Sequence, residues 1–332
     1  LSDGTGGTGL VFVDQAVEGK TIEILIGYGA DKSEVLFKGE ISYIEPNFDF
    51  VGTSYLELSG YDKSHRLTRG SVSKTWGDGF EATEKADVVA KQVIGDSGYA
   101  KGIGADSLSA GSGDSSPVKV PYLALYNTNL FQFSRQLGFD VNAEDRDQEK
   151  TISFAKIEPG KRAVLTVCRE RSEGEDTVVT RRARFHLSTV RQYKKVVVRG
   201  WDPKEKKAIV GVAEASTHQF DGTPSYTATG KALYGSGGQG KEHVVVDQPV
   251  QSKEEAEAMA KALFDKFSMD FVTGDIEIVG DPRVEPGETV NLTGFGKRFS
   301  GTYLINGCTH SYYPDGDGYI TSMSVSRNSI KD

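Results

Sequence analysis

Short runs of alternating apolar and polar residues recur along much of the chain and predict half-buried β-strands. The first clear run places Ile22, Ile24 and Ile26 on one side of a strand. Residues 35–44 and 55–58 continue with the same period of two, and proline, asparagine and glycine fall between the runs. This opening region therefore predicts an antiparallel meander of a kind that can close into a small barrel.

Apolar residues at helical spacing interrupt the strands further along the chain. Residues 83–94 and 127–137 repeat apolar residues every three or four positions, and glycine follows each stretch. Residues 101–117 are small and polar and predict a loop. Ser252 and Glu255 have the spacing of a capping box, which predicts the start of a third helix. The middle of the chain is therefore expected to be α+β.

Together these patterns predict a mainly β fold with α+β insertions, in which two similar antiparallel β-barrels flank an α+β region. A chain of 332 residues is too long for one ordinary core and favours two or three domains. We expect a first β-barrel over residues 1–75, an α+β middle domain over 76–190, a second β-barrel from 191–235 and 273–330, and a loop, strand and helix over 236–272 packed on the middle domain.

One short pattern occurs near both ends of the chain. Residues 19–29 and 287–296 each read Gly-x-Thr, then Ile or Val, any residue, and Ile or Leu, and then Gly-aromatic-Gly. Phe-x-Gly follows in both, ending at Gly39 and at Gly301, and a proline turn comes after it. Any two β-hairpins with glycine turns share some of these features. Several elements in the same order are harder to obtain by chance, so we interpret the pattern as a duplicated strand module.

The acidic balance of the chain limits its partners. The formal net charge is −8 and the pI is about 5.3. This balance argues against nucleic-acid binding, which needs a basic surface, and against a polybasic membrane anchor. No apolar run approaches the roughly 18 residues that cross a bilayer, and no signal peptide is visible.

The sequence offers little that points to catalysis or metal binding. Cys168 and Cys308 form no CxxC pair, and two free thiols are favoured over a disulfide. The five histidines form no HxH or HExxH pair. Residues 315–318 (DGDG) indicate a hairpin turn before a calcium loop, and the glycines of residues 4–9 indicate a linker before a phosphate loop. No catalytic residue, cofactor site or metal site is predicted, although abundant carboxylates leave a glycosidase pair open.

Longer stretches resemble a known family. They are FKGEISYIEP at residues 37–46, SGYDKSHRLTRG at 59–70, VVVRGWDPKEKKAIVG at 196–211 and YLINGCTHSYYPDGDGYITSMSVSRNS at 303–329. As a set they resemble the phage late control protein D family, the baseplate hub of contractile tails, and the N-terminal hub region of the VgrG spike proteins of type VI secretion. The resemblance extends over roughly residues 19–330.

This resemblance implies a structural role without enzymatic turnover. It implies a homotrimer between a sixfold inner tube and a threefold spike, with tube protein, spike protein and other baseplate components as partners. Three chains with two similar barrels each present six similar faces, which suits a sixfold tube. It also implies synthesis in the bacterial cytoplasm, assembly into an injection particle, and further strands before Leu1 in the first barrel.

Four aromatic residues are candidate interface anchors. Phe48 and Phe50 follow Pro46, and Tyr312 and Tyr313 precede Pro314 in the matching hairpin. These residues belong either to a buried core or to contact surfaces at equivalent edges of two barrels, since aromatics are enriched at the centres of interfaces. Two rival functions remain open: a carbohydrate-binding or cell-wall-degrading tail component, and a monomeric binding module with duplicated hairpins.

Overall fold

The structure is a computed structural model, and it divides the chain into two compact units, Leu1–Lys156 and Ile157–Asp332. The residues that it describes are 17–28, 33–49, 54–68, 71–76, 84–85, 119–120, 123–128, 140–146, 149–155, 163–170, 176–202, 205–214, 216, 220, 223–224, 241–247, 250 and 252–330.

The first unit is described as strands and one short 3-10 helix. Its elements are β1 (Thr21–Gly27), β2 (Ser33–Asn47), β3 (Tyr55–Tyr61), the 3-10 helix Lys63–Thr68, β4 (Val72–Trp76), β5 (Glu84–Lys85), β6 (Lys119–Val120), β7 (Leu123–Thr128), β8 (Asp140–Arg146) and β9 (Glu149–Ala155). Strands β1, β2 and β3 form an antiparallel sheet in that order, and β4–β7, β5–β6 and β8–β9 pair separately. The predicted meander is confirmed, whereas its closure into a barrel stays a prediction.

The three-stranded sheet of the first unit is amphipathic. Its register places Ile22, Ile24 and Phe37 on one face and Glu23 and Lys38 on the other. The alternation of the sequence thus becomes two chemically different surfaces.

The second unit contains a closed barrel, a smaller sheet and a helix. Its elements are β10 (Leu165–Cys168), β11 (Thr177–Leu187), β12 (Lys195–Asp202), β13 (Lys207–Ala213), β14 (Thr223–Pro224), β15 (Glu242–Val245), α1 (Lys253–Met269), β16 (Val272–Val279), β17 (Thr289–Thr293), β18 (Gly301–Tyr313), β19 (Gly318–Arg327) and β20 (Ser329–Ile330). The barrel has the order β10-β11-β16-β19-β18-β17 and closes through a parallel pair between β10 and β17.

Apolar residues from all the barrel strands meet in its interior. Fully buried members include Val167, Ile278, Val290, Leu292 and Ile305. These residues alternate with outward-facing polar residues, so the period of two in the sequence sets the inside and the outside of the barrel.

A second core lies between the sheet β13-β12-β15 and helix α1. The helix begins at Ser252, whose side chain accepts a hydrogen bond from the Glu255 amide at 3.1 Å, as the capping-box spacing predicted. Gly211 allows the helix to lie directly on the sheet, because a Cβ there would fall 2.1 Å from the backbone of Ala256. The third predicted helix is therefore confirmed.

The strands are distributed differently from the predicted domain boundaries. The barrel takes β10 and β11 from the region assigned to the middle domain, whereas β12 and β13, assigned to the second barrel, form the separate sheet against α1. Of the two helices predicted at 83–94 and 127–137, residues 84–85 and 127–128 are strand. Their other positions lie outside the described residues.

Candidate assembly surfaces

The two sequence repeats form the same three-stranded meander. The first repeat (residues 19–61) has the order β1-β2-β3, and the second repeat (residues 287–326) has the order β17-β18-β19. Each begins at a glycine with positive φ, +80° at Gly19 and +88° at Gly287. A Cβ at either glycine would meet nothing within 4 Å, so backbone conformation alone favours glycine there.

The hydrogen bonds beside these glycines also match. The Gly19 amide donates to the Ile41 carbonyl at 2.8 Å, and the Gly287 amide donates to the Ile305 carbonyl at 2.8 Å. In each repeat the isoleucine amide donates in return to the carbonyl of the residue after the glycine, at 3.0 and 2.8 Å. The two repeats therefore start with one shared backbone arrangement.

A β-bulge lies at the same point of both repeats. The register shifts between Ile41 and Tyr43 in the first repeat and between Ile305 and Gly307 in the second, so each central strand carries one extra residue. In each repeat the bulge directly follows the isoleucine whose carbonyl accepts the hydrogen bond of the initial glycine, which makes the equivalence of the repeats specific residue by residue. By this equivalence Tyr43 corresponds to Gly307.

The register corrects one part of the sequence alignment of the repeats. Ile22 pairs with Gly39, and its counterpart Val290 pairs with Tyr303. Gly39 therefore corresponds to Tyr303 and not to Gly301. The Phe-x-Gly pattern occurs in both repeats, but two positions apart in the fold.

Gly301 has a separate role, which is to make room for a buried arginine. It has φ +134°, and a Cβ there would fall 2.0 Å from the Arg327 guanidinium. Arg327 is fully buried, donates to the Ser300 carbonyl at 2.7 Å and lies over the Tyr303 ring. Burial raises the pKa of Tyr303 to about 12, and the neighbouring arginine acts in the opposite direction.

Several positions on the inner faces of the two repeats have similar residues but different surroundings. Leu292 is fully buried in the barrel, whereas its counterpart Ile24 is 45% exposed. Met323 is 2% exposed, whereas its counterpart Leu58 is 38% exposed. The first repeat thus has apolar residues at the inward positions of a barrel strand, but these side chains are less buried than their counterparts in the second repeat.

The outward face of the second repeat contributes to a groove of about 570 Å³. Its floor is made of small residues of β18 and β19, and its far wall is β11. The floor residues are Gly307, Thr309, Ser322 and Ser324. The arginines of the wall are Arg182 and Arg184, which form no ion pair with any described residue.

The acidic side chains of this groove lie on β16, between the floor and the wall. Glu277 is 3.3 Å from the guanidinium of Arg181, which also contacts Asp317 at 2.9 Å. Asp275 pairs in register with Arg184 and is exposed, but the two form no ion pair. In the described part of the chain, two arginines and one carboxylate of the groove therefore form no ion pair.

The same outward positions of the first repeat carry large and acidic side chains. Tyr43, Glu45, Glu57 and Ser59 correspond to the groove-floor residues in the order given above. Glu45 and Glu57 lie directly opposite each other across β2 and β3. The Tyr43 hydroxyl donates to Glu45, and this hydrogen bond raises the pKa of Tyr43. We call this set the acidic face.

Three of the four predicted interface aromatics lie at the surface. Phe48 is 68% exposed and Tyr312 is 64% exposed, and Tyr313 is also exposed. Counted from the shared bulge, Phe48, which directly follows β2, corresponds to Tyr312 near the end of β18. Phe50 lies outside the described residues. Their role as contact anchors stays a prediction.

A histidine joins the loop before β17 to the hairpin β18–β19. His310 Nδ1 lies 2.9 Å from the Tyr319 hydroxyl and 3.0 Å from the Thr321 hydroxyl, and Nε2 lies 3.1 Å from the Val284 carbonyl. A neutral ring with its proton on Nε2 donates to the Val284 carbonyl, and the single lone pair of Nδ1 accepts a hydrogen bond from a neighbouring hydroxyl. Burial lowers the pKa of His310, which favours that form.

Cys308 belongs to the same cluster. Its Sγ donates to the Val284 carbonyl at 3.2 Å, and burial raises the pKa of the thiol. Both cysteines are free, and Cys168 is buried. In the part of the chain that the structure describes, no group of three or more His, Cys, Asp or Glu residues is placed to hold a metal ion. Nor is any described helix long and apolar enough to cross a membrane.

Comparison of sequences adds one partial match. The Alg8 N-terminal domain matches residues 177–313, which is less than half of the chain. The match includes strands β11, β16, β17 and β18 of the barrel but omits β10 and β19. It does not coincide with a complete structural unit and does not establish a family. No curated protein matches the chain by sequence.

Comparison of structures gives matches over most of the chain. A tail protein from Neisseria meningitidis MC58 has a TM-score of 0.61 at 14% identity, over 89% of this chain and 81% of its own. The 43 kDa tail protein of prophage MuSo2 from Shewanella oneidensis has a TM-score of 0.59 at 13% identity, over 90% and 81%.

An E. coli component of the type VI secretion system, described as similar to the T4 bacteriophage tail proteins gp27 and gp5, has a TM-score of 0.50. It is 12% identical and is matched over 91% of this chain and 63% of its own. This chain has the fold of phage tail proteins. At these identities the likeness establishes the fold and leaves the function to be argued from the surfaces.

Proposed function

We propose that the chain is a structural component of a phage-tail-like contractile injection system and acts as its baseplate hub. In this role it forms a homotrimer that joins the sixfold inner tube to the threefold spike, and it performs no catalytic turnover. The late control protein D family and the hub region of VgrG are the proposed relatives. Other baseplate components are the remaining proposed partners.

The observation that carries this proposal is the duplicated meander. Both repeats begin at a glycine with positive φ, close the same pair of backbone hydrogen bonds and shift register at the same bulge. Three chains with two such repeats supply six similar backbone surfaces, whereas the rest of each chain occurs only three times. One molecule can thereby match a sixfold ring on one side and a threefold object on the other.

The test is reconstitution with the neighbouring components. The full chain is mixed with the purified inner tube protein and spike protein of the same system, and masses are measured by analytical ultracentrifugation. We expect a trimer that binds both components. A stable monomer that binds neither component would refute the hub. Hydrolysis of peptidoglycan that is lost when a carboxylate is replaced would instead favour a cell-wall-degrading tail component.

A further inference from the structure

We propose that the acidic face of the first repeat docks into the groove on the second repeat of another copy of this chain. The contact rests on the proposed homotrimer and assigns its surfaces. Tyr43 is the projecting side chain, and the space above Gly307 receives it. The partner is therefore a second copy of this chain.

Gly307 is the strongest indication that the groove is kept open for a partner. A Cβ at this position would lie 3.5 Å from Ser324 Oγ, an ordinary contact, and no positive φ demands glycine. The bulge does not demand it either, because the same bulge in the first repeat carries Tyr43. Glycine inside a strand is unfavourable, and it marks a bulge, a tight bend or a site that a ligand or another backbone approaches closely. The fold thus accepts a side chain at a site where the sequence has none.

Charge favours the acidic face as the occupant. Glu45 and Glu57 are directly opposed, and like charges in that arrangement repel. Neither forms an ion pair within the described residues. Arg182 and Arg184 on the groove wall also lack ion pairs there, and they are fixed donors suited to carboxylates. Docking would relieve the repulsion on one surface and give the two arginines of the other surface a carboxylate each.

The geometry of such a contact leads to a ring. Each chain carries one acidic face and one groove, so the contact is head-to-tail and closes when three copies return to the start. Two acidic faces repel each other, and two grooves leave a void between them. The contact therefore selects first repeat against second repeat, which is the alternation that a hub with six similar positions requires.

Gly307→Tyr tests the shape of the contact. This change gives the second repeat the residue that the first repeat already tolerates, so we expect an unchanged circular dichroism spectrum and melting temperature. The groove is then filled, and sedimentation should report a particle of one chain mass (36.0 kDa) where wild type gives threefold that mass. Gly307→Ala is the matched control, and we expect it to keep the wild-type mass.

Reversal of charge tests the identity of the two surfaces. We expect Arg182→Glu with Arg184→Glu to break the trimer, and Glu45→Arg with Glu57→Arg to break it as well. All four changes in one chain restore complementary charge and should restore the trimer. Arg298→Glu, an exposed change on the β17–β18 connection, serves as a charge control that leaves the mass unchanged.

The outcomes separate this contact from the hub proposal. Loss of the trimer in each charge pair with recovery in the fourfold variant supports the contact. A wild-type mass for Gly307→Tyr or for either charge pair overturns the contact but leaves the hub standing, as does failure of the fourfold variant to recover. A wild-type chain that is monomeric at every concentration overturns the contact. Whether that chain binds the tube and spike proteins then tests the hub proposal separately.

Discussion

Replacement of Gly301 by alanine should destabilise the barrel far more than an ordinary glycine substitution. The new Cβ would lie 2.0 Å from the guanidinium of Arg327, which is fully buried and has little room to move. The φ of +134° adds strain, because side-chain-bearing residues rarely adopt it. The arginine has to lose its contact with the Ser300 carbonyl or with the Tyr303 ring. The expected loss of stability combines this lost contact with the backbone strain.

The expected loss of stability is the sum of two contributions. Backbone strain at such a position costs about 1–3 kcal/mol, and a hydrogen bond from a charged group contributes about 1.5–3 kcal/mol. We therefore expect Gly301→Ala to lower the free energy of unfolding by about 3–5 kcal/mol. Gly287→Ala is the matched control: its φ is +88° with empty space around the Cβ, so only about 1 kcal/mol of strain is expected.

Hydrogen exchange of the β17–β19 amides in increasing urea measures the unfolding of the barrel without contribution from the first unit. A second comparison uses Arg327→Met as the background, in which the added methyl group no longer meets a guanidinium. The cost of Gly301→Ala should then shrink by at least about 1.5 kcal/mol. Equal costs for the Gly301 and Gly287 changes, or an unchanged cost in the methionine background, would refute the reasoning.

Three further predictions concern other contacts. Because the folded pKa of His310 is lowered, the unfolded chain binds the extra proton below about pH 6.5; stability is complete above that pH and falls on acidification, and His310→Gln should flatten this part of a pH–urea profile. Ser252→Ala removes the helix cap and should cost about 1 kcal/mol in thermal unfolding, whereas Ser252→Asp should cost almost nothing. Arg66→Ala leaves the buried carboxylate of Glu40 without the arginine that donates two hydrogen bonds to it, and should lower the free energy of unfolding by about 2–3 kcal/mol. Glu40→Gln in the same chain should recover much of this loss. Equal instability of the single and double variants would contradict this account.

Local patterns in the sequence were sufficient for the elements that local chemistry determines. The strand of Ile22, Ile24 and Ile26 and the helix capped by Ser252 both formed as predicted, since periodicity and capping depend on near neighbours. The repeat could be recognised because Gly19 and Gly287 have the same positive φ, which glycine best satisfies.

Pairing between distant strands could not be predicted in this way. Strand β10 closes the barrel by parallel pairing with β17, and a four-residue strand carries no signal for a partner more than a hundred residues away. The Phe-x-Gly alignment failed for a related reason. Gly39 and Gly301 are both crowded, but by Tyr61 and Arg327 respectively, and the sequence does not show which group approaches a glycine.

The two repeats differ on both faces of the meander. Some inward counterparts are apolar in both repeats, as in the pairs Ile24 with Leu292 and Leu58 with Met323, whereas Gly39 corresponds to Tyr303.

Outward, a tyrosine and two glutamates stand where the second repeat has glycine, threonine and serine, although the shared bulge tolerates both sets. Packing inside one chain does not account for that contrast, since each set is compatible with the same backbone. A ring built from alternating repeats does account for it. Identical outward faces would permit any order of neighbours, whereas one projecting acidic surface and one open groove permit only the alternating order.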